Sequence, residues 1–351
     1  MIRLIENRQM LSILVMFLIV QFGGMLIASL LFTTTPISAI TSSTVASSTT
    51  SVLFYFLYII AGALVILLIV RYLNGDLVFR LIEAVVIISA SFFIFFIILG
   101  YVAPQNTDPN YVYAGALLLS VALVVAKNVR PHLRNLATII ASMGVGVVLG
   151  LGFGFIPSLI FMGLIAIYDY VAVFITKHMI TLAKAISSRN LAFLIGSTDV
   201  ETVPASYLSK KERSEYRKFV RENKLHKNEI FRKAMESGKI AVVSQVQLGA
   251  GDLGLPLMVA VSAYLAYFNY TASIVIVCGA AAGLVATMYF LRKYQRALPA
   301  IPPIFSFILF AYSLFLIFAE GMILLPIALI ILGILTMSFG IILTLRRKSW
   351  M

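Results

Sequence analysis

Residues 157–176 read PSLIFMGLIAIYDYVAVFIT. At 1.5 Å per residue, twenty such residues reach across the roughly 30 Å hydrocarbon core of a bilayer. The stretch carries one charge, Asp169. An acid inside a span costs about 2.5–3.5 kcal/mol on insertion scales, so an acid kept there is by default a functional hypothesis. The rest of the chain has the same character. Of its 351 residues, 61% are hydrophobic and 12% are charged, and the mean hydropathy is +1.02. Soluble domains are about a quarter charged. The composition therefore dictates a polytopic, all-helical membrane protein.

Windows of this kind give ten candidate spans, at about 10–32, 52–73, 81–103, 111–126, 135–153, 157–176, 240–268, 271–291, 303–319 and 322–345. The seventh is interrupted near its start by Ser244, Gln245 and Gln247, and the last two divide at Glu320-Gly321. With the N-terminus placed in the cytoplasm, all 27 Lys and Arg fall in the predicted inner segments. The outer loops, such as TTTPISAITSSTVASSTTS and APQNTDPN, hold none. That asymmetry sets the orientation and an even number of spans, and it explains the net charge of +13 without nucleic acid. The first apolar run is too long for a signal-peptide core and lacks a cleavage site, so it reads as a span.

Three regions follow: residues 1–177 with six spans, a cytoplasmic segment at 178–239, and residues 240–351 with the remaining spans. The charged stretch LSKKERSEYRKFVRENKLHKNEIFRKAMESGK has a helical pattern and suits a solvated linker near anionic lipid.

Of fourteen Asp and Glu, seven lie in the 178–239 segment and four at ends or in loops. Glu83 sits one turn inside the third span, placed to snorkel towards Arg80. Asp169 and Asp252 remain well inside spans. Asp169 precedes Lys177 by eight residues and so lies roughly 12 Å deep; Asp252 lies roughly 8 to 20 Å deep, depending on where its helix begins. The two spans are consecutive and antiparallel, so the acids can face each other. Two carboxylates at close range cannot easily both ionise, and such a pair shares one proton. It can activate water and polarise a carbonyl, as in aspartic proteases. Buried acids also serve proton- or cation-coupled transporters and ion-leak channels.

Asp252 stands in LGAGDLGLP. Gly249 and Gly251 remove two side chains beside the acid and let another chain approach, although small residues also serve ordinary helix packing. Further on, RALPAIPPIF carries Pro299, Pro302 and Pro303, which withhold backbone donors and predict a non-helical entry to the ninth span.

Together these features resemble the presenilin and signal peptide peptidase family of intramembrane aspartyl proteases. Tyr168-Asp169 resembles its YD motif, Gly249 to Asp252 (GAGD) its GxGD motif, and Ala297 to Pro302 (ALPAIP) its PAL motif, with Ile301 in place of leucine. The resemblance implies a nine-span presenilin-like bundle, here with a possible tenth C-terminal helix. It implies catalytic Asp169 and Asp252, with Tyr168, Gly249, Gly251, Pro299, Ala300 and Ile301 shaping the site. The implied activity is hydrolysis of peptide bonds in transmembrane segments, with no organic cofactor, metal, nucleic acid or obligate protein partner. The N-terminus, the 178–239 loop and, with ten spans, the C-terminus are expected in the cytoplasm. The lack of a large soluble domain or targeting signal fits a compact archaeal homologue.

Other signals carry less. His132, His178 and His226 lack metal-ligand spacing, and no H-E-x-x-H is present. The glycines of MGVGVVLGLGFGF (Gly144 to Gly154) lie within the fifth span with no neighbouring lysine, so close helix packing is expected. Cys278 excludes an intrachain disulfide.

Overall fold

A computed structural model describes residues 2–34, 52–58, 61–62, 65, 76–104, 107–175, 194–204, 237, 239–294 and 299–346. Its helices are α1 (Ile2–Thr34), α2 (Asp76–Val102), α3 (Pro109–Val129), α4 (Arg134–Gly152), α5 (Phe155–Tyr170), α6 (Ala250–Tyr267), α7 (Tyr270–Tyr294), α8 (Ile301–Glu320) and α9 (Leu324–Arg346). Two strands, β1 (Leu194–Pro204) and β2 (Lys239–Gly249), form a two-stranded sheet. The chain divides into two compact units. One holds Met1–Ile13 and Gly196–Gln247, and the other holds Leu14–Ile195 and Leu248–Met351. The second unit is the helical bundle.

Eight described helices, α1 to α8, are long and apolar enough to cross a membrane. The bounds of seven of these, all but α6, and of α9 follow the sequence reading closely, which accounts for eight of the ten candidates. Most of the 52–73 candidate lies outside the described residues, of which 52–58 are helical. The charged stretch that reads as helical within 208–239 also lies outside them, apart from Ser237 and Lys239. The division at Glu320-Gly321 is real. Gly321 takes a left-handed conformation (φ 64), and the Met322 N–H bonds back to the Leu316 carbonyl, which closes α8 before α9 begins.

Three expectations change. The seventh span does not begin near 240: residues 239–249 are β2, and the helix starts at Ala250. The polar residues Ser244, Gln245 and Gln247 break the apolar run, and Gln245-Val246-Gln247-Leu248 alternates with the period of a strand. Among the described residues, the entry to α8 is non-helical at Pro299 and Ala300, while Pro302 and Pro303 sit within its first turn. First-turn N–H groups have no intrahelical acceptor, so proline costs nothing there. Glu83 does not snorkel towards Arg80. It is buried and takes an ion pair from Lys127 of α3 at 2.5 Å, because a buried charge needs a charged partner.

Three of the four glycines of α4, Gly144, Gly146 and Gly150, pack helices as their pattern predicts, whereas a Cβ at Gly152 would meet nothing within 4 Å. A Cβ at Gly144 would collide with the Ala90 carbonyl of α2. One at Gly146 would lie 2.8 Å from the Gly254 carbonyl, and one at Gly150 2.9 Å from the Met258 carbonyl, both in α6. Close backbone approach replaces the hydrophobic drive that lipid does not supply between helices. It also brings α6, the helix bearing Asp252, into the middle of the bundle.

Candidate active site

Asp169 is the penultimate residue of α5. Phe155, Ser158, Met162, Ile165 and Asp169 are all buried, and their spacing of three and four residues traces one helical stripe. Ile167, on the opposite face, is exposed. The apolar periodicity of α5 thus aims Asp169 into the bundle. The helix then widens into a π-helical segment, Val171–Ile175. Such segments often occur at functional sites, where they loosen the regular ladder.

Asp252 occupies the third position of α6. Gly249 is the N-cap, and its N–H donates to Asp252 Oδ2 at 3.2 Å. This is one half of a capping box, since glycine lacks the side chain for the other half. Pro256 lies four residues on, inside the helix. It has no N–H to give the Asp252 carbonyl, which relaxes the backbone where the acid sits.

Two contacts fix the register of these antiparallel helices. The Ser158 and Ser262 hydroxyls lie 2.7 Å apart, and the Phe155 ring meets Tyr267 edge-on at 5.8 Å. Asp169 is eleven residues beyond Ser158, and Asp252 is ten residues before Ser262. At 1.5 Å per residue these offsets are about 16 and 15 Å, so the two acids reach the same level. Their carboxyls are close enough to interact electrostatically. Asp169 is buried and Asp252 is half-buried.

The first turn of α8 completes the group. The Ile301 N–H donates to the Asp169 carboxyl. This is an orphan donor of a helix N-terminus, where a carboxylate is favoured. Pro302 and Pro303 offer none, so Ile301 supplies the donor. The contact uses backbone, which explains why isoleucine serves where the motif has leucine. Pro299, Ala300 and Ile301 are all buried. Tyr168 is half-buried and in electrostatic contact with Asp169.

The two motif glycines differ. A Cβ at Gly249 would lie 3.1 Å from Asp252 Oδ2, whereas a Cβ at Gly251 would meet nothing within 4 Å. Neither packs against another helix at that distance, so the small-residue packing alternative fails at these two positions. Gly254, one turn on, packs against α4 instead.

Some contributors carried no motif. Gln21 of α1 is buried and donates from Nε2 to the Leu253 carbonyl, next to Asp252, at 2.9 Å. Its signal was a lone amide within the first span. Tyr170, Ser306 and Thr336 link α5, α8 and α9, and only a tertiary structure brings them together. Among the described residues, no group of three or more His, Cys, Asp or Glu could hold a metal ion.

The family described as signal-peptide peptidase, presenilin aspartyl protease matches residues 14–321. The structure resembles two crystal forms of a presenilin family intramembrane aspartate protease. Against the C222 form the TM-score is 0.54 at 20% identity, covering 89% of this chain and 98% of that one. Against the P2 form it is 0.55 at 20% identity, covering 87% and 96%. Among curated proteins none matches.

Proposed function

Because the chain belongs to the signal-peptide peptidase and presenilin family of aspartyl proteases, we propose that Asp169 and Asp252 are its catalytic dyad. The protein is an integral membrane protease, and its substrates are transmembrane segments. The observation that carries the assignment is the matched level of two inward-facing acids on helices pinned by Ser158 and Ser262. A cation-coupled transporter would have no use for the Gly249 and Ile301 donors that orient the two carboxyls.

In this reading the pair holds one proton. The ionised carboxylate takes a proton from water as its oxygen attacks the scissile carbonyl carbon. The protonated partner gives its proton to the carbonyl oxygen, forming a neutral tetrahedral diol. As the diol collapses, the C–N bond breaks and the amine leaves with a proton from the dyad. A carboxylic acid and an amine are released, and the diol returns one proton to the pair. The N–H groups of Gly249 and Ile301 each hold one carboxyl in place, so reaction requires little reorganisation.

Gly251 opens the approach to Asp252, and Pro299, Ala300 and Ile301 form the opposing wall. Tyr168 packs beside the acid. An extended substrate backbone fits such a site better than a helix, because peptide bonds must be exposed to be cut. Residues 178–239 form an extramembrane segment on the cytoplasmic side together with the N-terminus and the end of α9, as the charge distribution supports.

Cleavage of a transmembrane reporter peptide by purified protein tests the dyad. Asp169→Ala and Asp252→Ala are expected to abolish cleavage while the bundle still folds. Equal cleavage by wild type and both variants would remove the assignment.

A further inference from the structure

Helix α9 begins at Leu324, past the end of the family match at residue 321. It is nonetheless tied to the site. The Tyr170 hydroxyl donates to the Thr336 carbonyl at 2.6 Å. The Phe339 ring meets Tyr170 edge-on at 5.5 Å, and a Cβ at Gly340 would collide with the Tyr170 hydroxyl. The Thr336 and Ser306 hydroxyls lie 2.6 Å apart, and Ser306 also donates to the Pro302 carbonyl at 2.9 Å.

These contacts converge on Asp169 from two sides. Tyr170 is the next residue in α5. Ser306 and Pro302 belong to the start of α8, whose Ile301 N–H donates to the Asp169 carboxyl. Directly after Tyr170 the backbone widens into the π-helical segment. The acid therefore stands on the last regular turn before a loosened stretch, and α9 grips that turn and the helix start opposite it. Hydrogen bonds between membrane helices add little to stability on average. Their contribution here is geometric, since a misplacement of about 1 Å can cost on the order of 100-fold in rate.

Given the dyad chemistry proposed above, we infer that α9 is a positioning element. Acting through Tyr170, Ser306 and Thr336, it holds the Asp169 carboxyl on the Ile301 N–H. None of the three touches the reacting atoms.

The test uses the full chain, a transmembrane reporter peptide, and amide hydrogen exchange over residues 166–175. Tyr170→Phe keeps the ring and removes the donor. Gly340→Leu wedges α9 away from Tyr170. Ser306→Ala removes the second tie, and Ser306→Thr keeps its hydroxyl. Expected are a three- to tenfold fall in kcat for Tyr170→Phe and Ser306→Ala, and a larger fall for Gly340→Leu. KM should stay within twofold, exchange should quicken at 166–175 alone, and Ser306→Thr should restore kcat. Wild-type kcat in both Tyr170→Phe and Ser306→Ala, or faster exchange spread through the bundle, would overturn the inference. Failure of the dyad reading looks different: Asp169→Asn would then cleave as wild type does. Failure of the α9 inference alone leaves Asp169→Asn inactive and the Tyr170, Ser306 and Gly340 variants unaltered.

Discussion

Replacing Gly249 and Gly251 by alanine, one at a time, separates two functions that the motif combines. Gly249 has φ −68 and ψ 145, which alanine adopts without strain. Its new methyl would lie 3.1 Å from Asp252 Oδ2, while ordinary contact begins near 3.4 Å. The carboxyl must then move by about 0.3 Å. If about 1 Å costs on the order of 100-fold in rate, a shift of that size costs about fourfold in kcat. Stability should not fall, since Gly→Ala at a compatible backbone gains about 0.4–1 kcal/mol by restricting the unfolded chain. At Gly251 the methyl meets nothing within 4 Å, and the residue is helical, so folding should be equally untroubled. Under the proposed role of Gly251 in admitting substrate, the added methyl would crowd the substrate backbone, so KM should rise several-fold with kcat nearly unchanged. Steady-state cleavage of a transmembrane reporter gives both constants, and thermal unfolding checks the fold. Wild-type kcat for Gly249→Ala, or an equal loss of kcat for Gly251→Ala, would refute the reasoning.

Removing Lys127 should leave Glu83 buried without its partner: Lys127→Met is expected to destabilise by about 3–5 kcal/mol, and the double variant Lys127→Met with Glu83→Gln to recover most of it, read by thermal unfolding. Ser158→Ala should cost only about 0.6 kcal/mol in stability, yet lower kcat, because the hydroxyl pair sets the register of the two acid-bearing helices; a double-mutant cycle with Ser262→Ala measures the coupling. The pH profile of kcat should have two limbs, because both the fully protonated and the fully ionised pair are inactive. Asp169→Asn should abolish activity at every pH.

Composition and charge placement alone read out most of the helices, because the bilayer demands long apolar runs and sorts Lys and Arg to one side. Span bounds came within a few residues wherever the run was clean. They failed at 240–249, where hydropathy cannot separate a strand from the start of a helix. The pairing of Glu83 was also misread, because a neighbour in sequence was weighed before Lys127, a neighbour only in space. At the site, the two acids were legible as costly residues, and GAGD and ALPAIP as their setting. The division of labour inside those motifs was not legible. Gly249 donates to a carboxyl that a side chain there would crowd, Gly251 faces open space, and the ALPAIP segment contributes a backbone N–H at Ile301.

The sequence by itself determined that this chain is a membrane bundle carrying two acids on neighbouring antiparallel spans, since hydropathy and charge are one-dimensional properties. Only the tertiary structure decided that Asp169 and Asp252 share a level. Helix register is set by packing pairs such as Ser158 with Ser262, 104 residues apart in the chain. It also decided that α9 grips the turn after Asp169. That grip depends on the absence of a Cβ at Gly340, and such a steric condition has no meaning until two helices meet.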